Sequence, residues 1–442
     1  MTVDVGSRSH LQPGLNIAPK VKVALLALVY CLASAPVSAS EDLLLLELVN
    51  GQDIEVERFR GNGAVTMLWL PSERGFGAAH HLHARALAAL GHEVWLADLH
   101  PSYFVEPGNN SIARFPLDDI VALIEAAVAS SAQKVVLVSS SRGAQSLLIA
   151  AREWQLRNPG SGAIAGVILA HAHLYEARPA VGENAQYLPI VRATNLPVFL
   201  LAAQYSTQSS RLVEMAEALG SGGSQVYTQT LVGVQGGFFT RQSADNSALD
   251  EAAKQAYAVT LSRAAALLQG IEPPSAAVAT TQNTRRFGDS TRSNPVLAAL
   301  ATPLAAPPLG LTDINGRPSA LDEHAGYVVL VNFWTSWCRP CVTEIPSLRR
   351  LDAMLADTDF RIVTVNVGED RERVKRFLQQ VSVELPVLMD YDAAMSKRWM
   401  IYVYPSSFLV DRQGNISYAY LGALEWDSTE NLKIIRSLLS KR

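Results

Sequence analysis

Residues 328–346, VVLVNFWTSWCRPCVTEIP, constrain this chain more than any other stretch. The apolar, β-branched run over 328–333 reads as a buried strand. It leads straight into Trp337-Cys338-Arg339-Pro340-Cys341, and a helix-like segment follows over 342–355. A CxxC at a strand-to-helix junction puts Cys338 at a helix N-terminus. There, unpaired backbone N–H groups and the helix dipole favour a thiolate over a thiol. Cys341 falls inside the first turn, close enough to close a small disulfide. The layout suits thiol–disulfide exchange.

The other uses of a CxxC are half a zinc site or a structural disulfide. A structural zinc site wants four ligands. The third and last cysteine is Cys31, and the nearest histidine in sequence is His324. No metal site is expected, and redox chemistry is the favoured reading.

The surrounding residues support it. Residues 305–442 resemble the TlpA-like branch of the thioredoxin superfamily, which are periplasmic or membrane-tethered disulfide reductases. The resemblance rests on a hairpin-like Leu311-Thr312-Asp313-Ile314-Asn315-Gly316, on Val331-Asn332-Phe333-Trp334 before WCRPC, and on Glu344-Ile345-Pro346 after it. It continues through a strand over 361–367, a helix over 371–381 and a strand over 385–389. Tyr404-Pro405 then looks like the family's cis-proline segment, with a strand over 416–421 and a C-terminal helix over 430–439 to complete the order.

By that resemblance Cys338 is the attacking thiolate and Cys341 the resolving thiol. Pro405 is cis, with its backbone beside the cysteines where a substrate strand pairs. An X–Pro bond makes the cis form accessible at roughly 0.5–1 kcal/mol. Glu344 follows Cys341 by three residues and so shares its helix face; in the family such a carboxylate accepts a proton or raises a thiol pKa. Trp337 and Tyr404 would wall the substrate groove. Tyr404 departs from the small or β-branched residue usual before the cis-proline, which bears on substrate preference. The redox group is the Cys338–Cys341 pair itself, with no other cofactor.

Residues 1–39 read as an export signal, with Arg8, Lys20 and Lys22 before a short apolar run over 23–33 and small residues at Val37-Ser38-Ala39. That run is about half the roughly 20 residues a membrane span needs; left uncleaved, it would act as an anchor. The export signal makes the periplasm the expected location, and after cleavage the only cysteines are those of the CxxC. The balance of 37 basic and 41 acidic residues, a net charge of −4, points away from a nucleic-acid surface.

Residues 41–270 alternate apolar strands with amphipathic helices, which predicts a parallel sheet covered on both faces. The expected fold class is therefore α/β throughout, an N-terminal sheet domain followed by a thioredoxin-like one. Val138-Ser139-Ser140-Ser141-Arg142-Gly143 resembles the nucleophile elbow of α/β-hydrolases, with Ser139 in place of the first glycine. Residues 72–77 occupy the place of the oxyanion-hole loop. A serine hydroxyl needs a base. Yet the segment 203–208 holds no carboxylate where the family places its acid, and no histidine lies between His173 and His324. The usual triad is broken. His171 and His173, or His80, His81 and His83, would have to substitute. A non-catalytic domain that binds a partner is the expectation, and a serine hydrolase using Ser141 is the alternative.

Residues 271–304 are poor in large apolar side chains and read as a flexible linker. A free chain of that length spans on the order of 30–35 Å. The resulting picture is an exported oxidoreductase acting on protein thiols or disulfides. Its electrons would come from an inner-membrane thiol donor.

Overall fold

Strands whose every side chain is buried need cover on both faces, and both halves of this chain are built on such strands. The computed structural model describes residues 41–47, 53–62, 65–177, 179, 181–288, 297–381 and 385–441. The export-signal reading of 1–39, Cys31 and residues 289–296 of the expected linker lie outside them. Among the described residues no helix is long and apolar enough to cross a membrane.

The first lobe holds eight strands: β1 (Glu41–Glu47), β2 (Asp53–Phe59), β3 (Thr66–Trp69), β4 (Glu93–Ala97), β5 (Val135–Ser140), β6 (Ile164–Ala170), β7 (Val198–Tyr205) and β8 (Val226–Gln235). Their spatial order is β1-β2-β4-β3-β5-β6-β7-β8. β2 runs antiparallel to β1 and β4, and the pairs from β4 through β8 are parallel. One face buries Leu137, Val167 and Leu200 against helices Leu117–Ser130 and Gly143–Arg157. The other buries Val136, Ile168 and Leu201 against helices Ala78–Ala89 and Ala248–Gln269.

The second lobe holds β9 (Ala298–Ala305), β10 (Gly310–Asp313), β11 (Pro318–Ala320), β12 (Val328–Trp334), β13 (Phe360–Val367), β14 (Val387–Asp390), β15 (Ser406–Val410) and β16 (Asn415–Leu421). They are ordered β11-β10-β14-β13-β12-β15-β16-β9. β12 lies at the centre, parallel to β13 and antiparallel to β15. Both sheets belong to a single contact unit.

The linker reading needs correction. Residues 271–288 do not hang free but run along the first lobe. Gly160 N–H donates to the Ser275 carbonyl (2.8 Å), Asn195 Nδ2 to Ala276 (2.8 Å) and Arg152 Nη2 to Val278 (2.6 Å). Gly288 N–H donates to Gln145 Oε1 at 3.0 Å. A segment with too few apolar residues to fold alone is held here through its backbone polar groups, by backbone and side-chain groups of the neighbouring lobe. Its end is β9, an edge strand paired with β16. Seven of its eight side chains are exposed, so no apolar alternation marks it.

Candidate active site

β12 ends at Trp334, and helix Arg339–Met354 begins with Cys338 as its N-cap. Pro340 sits in the first turn, where its missing N–H costs nothing. Cys338 and Cys341 are joined as a disulfide with Cα atoms 5.2 Å apart. The Cys341 N–H donates to Cys338 Sγ at 3.2 Å, an interaction that also favours a thiolate there. Cys338 is 7% exposed and Cys341 1%. The more accessible sulfur is thus the one at the helix end.

Glu344 lies one turn on and is 2% exposed. Asn332 Nδ2 on β12 donates to its Oε1 at 2.8 Å, while Leu424 N–H (3.1 Å) and Trp426 Nε1 (3.3 Å) donate to Oε2. Burial outweighs these three donors and pushes the carboxyl up to about 7. A buried acid that changes protonation near neutral pH, on the helix face of the buried cysteine, is suited to proton transfer.

The Tyr404–Pro405 peptide is cis and enters β15. Trp337 meets the Tyr404 ring edge to face, with centroids 5.8 Å apart. Both line a cavity of about 290 Å³. The structure brings Cys338, Cys341, Trp337 and Tyr404 into one buried cluster.

Sequence reasoning missed Glu369. Just past β13, it is buried and accepts from Ser336 N–H (2.6 Å), Asn366 Nδ2 (2.8 Å) and Arg373 Nε (2.7 Å). It anchors the turn two residues before Cys338. A carboxylate at the end of the strand beside the CxxC strand was a readable signal.

Ser141 sits at φ +50° between β5 and helix Gly143–Arg157. A Cβ at position 143 would run into the Pro71 carbonyl, so the following glycine is needed for close approach. What fills the turn is unexpected. Ser141 Oγ donates to Glu73 Oε1 at 3.0 Å, and the Arg142 N–H donates to Glu73 Oε2 at 3.1 Å. In an elbow of this type, the N–H after the serine is an oxyanion-hole donor. Here a buried carboxylate on the loop after β3 occupies it.

His80 and His171 share a cavity of about 470 Å³ with Ser141. His171 Nε2 accepts from Ala203 N–H at 3.0 Å, and His80 Nδ1 accepts from Gly77 N–H at 3.1 Å. Burial holds both near 4, and His83 likewise. His173 meets the turn through its backbone N–H, which donates to the Ser141 carbonyl. His81 pairs with Glu57 instead. Among the described residues, no group of three or more His, Cys, Asp or Glu side chains is arranged to hold a metal.

Comparison with known proteins assigns the second lobe. Residues 302–435 match the Redoxin family model. The thiol-disulfide oxidoreductase ResA of Geobacillus kaustophilus is 29% identical over 132 residues, 30% of this chain and 76% of that protein. ResA of Bacillus subtilis is 31% identical over 119 residues, 27% of this chain and 66% of the relative. A solved structure of a putative thiol:disulfide interchange protein DsbE from Chlorobium tepidum is 28% identical. It covers 32% of this chain and 100% of its own, with a TM-score of 0.30. The C-terminal third of the chain is a Redoxin domain with a thioredoxin-like fold, similar to the thiol-disulfide oxidoreductases named ResA.

Proposed function

We propose that the chain reduces disulfides of exported proteins, cycling Cys338 and Cys341 between dithiol and disulfide as its only redox group. The observation that carries this reading is the joined pair at a helix N-terminus, with buried Glu344 on the same helix and a cis bond before Pro405. In the dithiol state, the Cys338 thiolate attacks one sulfur of a substrate disulfide. A Cys338–substrate S–S bond forms, the substrate's own S–S bond breaks, and its second sulfur leaves as a thiolate and takes a proton from water. Cys341 then passes its proton to the Glu344 carboxylate and attacks Cys338 Sγ. The mixed disulfide breaks, the Cys338–Cys341 bond forms, and the first substrate sulfur leaves as the second thiolate. Two electrons reach the substrate.

Pro405 turns the backbone beside the pair towards an incoming strand, and Trp337 and Tyr404 flank the approach. The apolar leader within residues 1–39 supports export to the periplasm. The bacterial periplasm is kept oxidising, so a reductant there draws its electrons from a thiol donor in the inner membrane. Residues 41–270 serve as a non-catalytic, hydrolase-like binding lobe. Glu73 occupying both Ser141 and the Arg142 N–H supports that role.

The test uses single cysteine variants. Cys338→Ala should abolish reduction of a disulfide-bonded peptide, and Cys341→Ala should stop turnover while accumulating a mixed disulfide at Cys338. Turnover retained in Cys338→Ala would sink the proposal.

A further inference from the structure

The first lobe reaches the helix whose arginine neutralises the turn ahead of Cys338. Tyr205 ends β7 and is buried, and its carbonyl accepts from Gly236 N–H at 2.8 Å, so its place is fixed. The Arg373 guanidinium, on helix Arg371–Gln380 of the second lobe, lies over the Tyr205 ring, 4.3 Å from its centroid. A second contact keeps the lobes in this register. The Arg211 guanidinium lies 3.9 Å over the Tyr402 ring, and Tyr402 donates its hydroxyl to Asn184 Oδ1 at 3.2 Å. An aromatic face of this kind orders a guanidinium that would otherwise sample many rotamers.

Arg373 is in turn the charge partner of Glu369, whose side chain is fully buried. Both Glu369 oxygens accept hydrogen bonds. Oε1 takes Arg373 Nε (2.7 Å) and Ser336 Oγ (2.5 Å), and Oε2 takes Ser336 N–H (2.6 Å) and Asn366 Nδ2 (2.8 Å). Ser336 stands two residues before Cys338, whose N–H donates to the Thr335 carbonyl at 3.3 Å. A buried negative charge held in this turn opposes the thiolate that the helix end favours. Among the described residues, Arg373 is the one ion-pair partner Glu369 has. Asp370 and Arg339 point to solvent, and Glu344 is engaged by Asn332, Leu424 and Trp426.

We propose that Tyr205 is a positioning residue for the redox site: by holding Arg373 against Glu369, the first lobe keeps this buried carboxylate neutralised and so stabilises the Cys338 thiolate. The inference goes beyond the reductase reading, because it gives the first lobe a part in the chemistry of Cys338 whichever disulfide is reduced. Its sign is definite. Without the ring Arg373 is freed, the thiolate loses support and the dithiol form is less stable. A pair whose dithiol form is less stable is the stronger reductant.

The experiment uses the full-length protein. Alkylation of Cys338 in the dithiol form by iodoacetamide, followed by mass spectrometry across about pH 4–10, reads its thiolate fraction. Equilibration with glutathione, in which two thiols reduce the disulfide and leave as oxidised glutathione, reads the potential. Tyr205→Leu fills the space without an aromatic face. It should lower the thiolate-to-thiol ratio about threefold and move the glutathione equilibrium about threefold towards the protein disulfide. Tyr205→Phe keeps the ring and should stay within about 1.5-fold of wild type on both readouts. Arg373→Gln removes the charge itself and should act in the same direction, about tenfold. Adding Tyr205→Leu to Arg373→Gln should then change nothing further, since the ring acts through the guanidinium. A Tyr205→Leu protein that matches wild type overturns the proposal, and so does a leucine effect that persists undiminished without Arg373. Should Arg373→Gln fail to fold, the leucine and phenylalanine variants decide alone. A wild-type disulfide that glutathione does not reduce at all counts against the reductase reading, while the alkylation profiles still decide the role of Tyr205.

Discussion

Two strand-to-helix turns in this molecule present a nucleophile type in nearly the same way. β5 delivers Ser141 to the start of helix Gly143–Arg157, and β12 delivers Cys338 to the start of helix Arg339–Met354. Each has a buried carboxylate close by. Glu73 reaches the serine turn from the outside and accepts both the would-be nucleophile's hydroxyl and the N–H an oxyanion would need. Glu344 lies on the cysteine turn's own helix, accepts from Asn332, Leu424 and Trp426, and is pushed up to about 7 by burial. The difference teaches that a strained turn and a nucleophile do not make a site. Where the nearest carboxylate points decides whether the turn is poised or plugged.

The largest expected contrast is between the two nucleophiles. Cys338→Ala should lower disulfide exchange by about 10³-fold or more, whereas Ser141→Ala leaves it unchanged. Peptide-disulfide kinetics on both variants check this, and a loss in Ser141→Ala would tie the two turns together after all. Next in size is Glu344→Gln. It should slow resolution of the mixed disulfide about 10²-fold near neutral pH and remove a rate dependence centred near pH 7. Stopped-flow rates between pH 5 and 9 report it, and an unchanged profile would leave Glu344 a structural residue.

The same carboxylate has a stability signature with a definite sign. Burial raises its folded-state pKa from the ordinary 4.5 to about 7, so between these values the folded protein keeps a proton that the unfolded chain has lost. Its contribution is full below pH 4.5 and fades as pH rises through 7, by about 3 kcal/mol in all. Relative to Glu344→Gln, the wild type should therefore lose that much stability between pH 4 and pH 8. Urea titrations at the two pH values measure it, and a parallel pH dependence in the two proteins would contradict the assignment. The smallest effect is expected at the plugged turn. Glu73→Ala takes away the acceptor for Ser141 Oγ and the Arg142 N–H and should cost about 1–3 kcal/mol. It should still produce no ester hydrolysis, because His171 Nε2 and His80 Nδ1 in the Ser141 cavity already accept backbone N–H groups. Ester turnover in Glu73→Ala would mean that the carboxylate alone keeps a hydrolase silent.

The parts of this account that were readable in the sequence are those set by neighbours along the chain. The CxxC at a strand end, Glu344 one turn later and the Tyr404-Pro405 segment each depend on spacings of a few residues. The alternation of strands and helices in the first lobe was readable for the same reason, since buried parallel strands are continuous apolar runs. Glu73 was not, because its role rests on a contact with Ser141 across 68 residues. The family's place for the acid is the segment after β7, far along the chain from Glu73. β9 was hidden by exposure of nearly all its side chains, which erases the apolar pattern while leaving the backbone ladder intact. The strap over 271–288 was hidden too, since a composition that cannot fold alone can still be held by a neighbour's polar side chains. The pairing of Arg373 with Tyr205 joins the two lobes, and no local pattern announces such a contact.

The central claim is that the Cys338–Cys341 pair is supplied with electrons and works as a reductant outside the cytosol. The measurement that tests it most directly is thiol trapping in intact cells, by acid quench, alkylation with a mass-tagged maleimide and a gel shift. The account predicts a pair held mostly as the dithiol, turning to the disulfide when the membrane donor is removed. A pair that is mostly disulfide in unperturbed cells would contradict it and make the protein an oxidant of its partners.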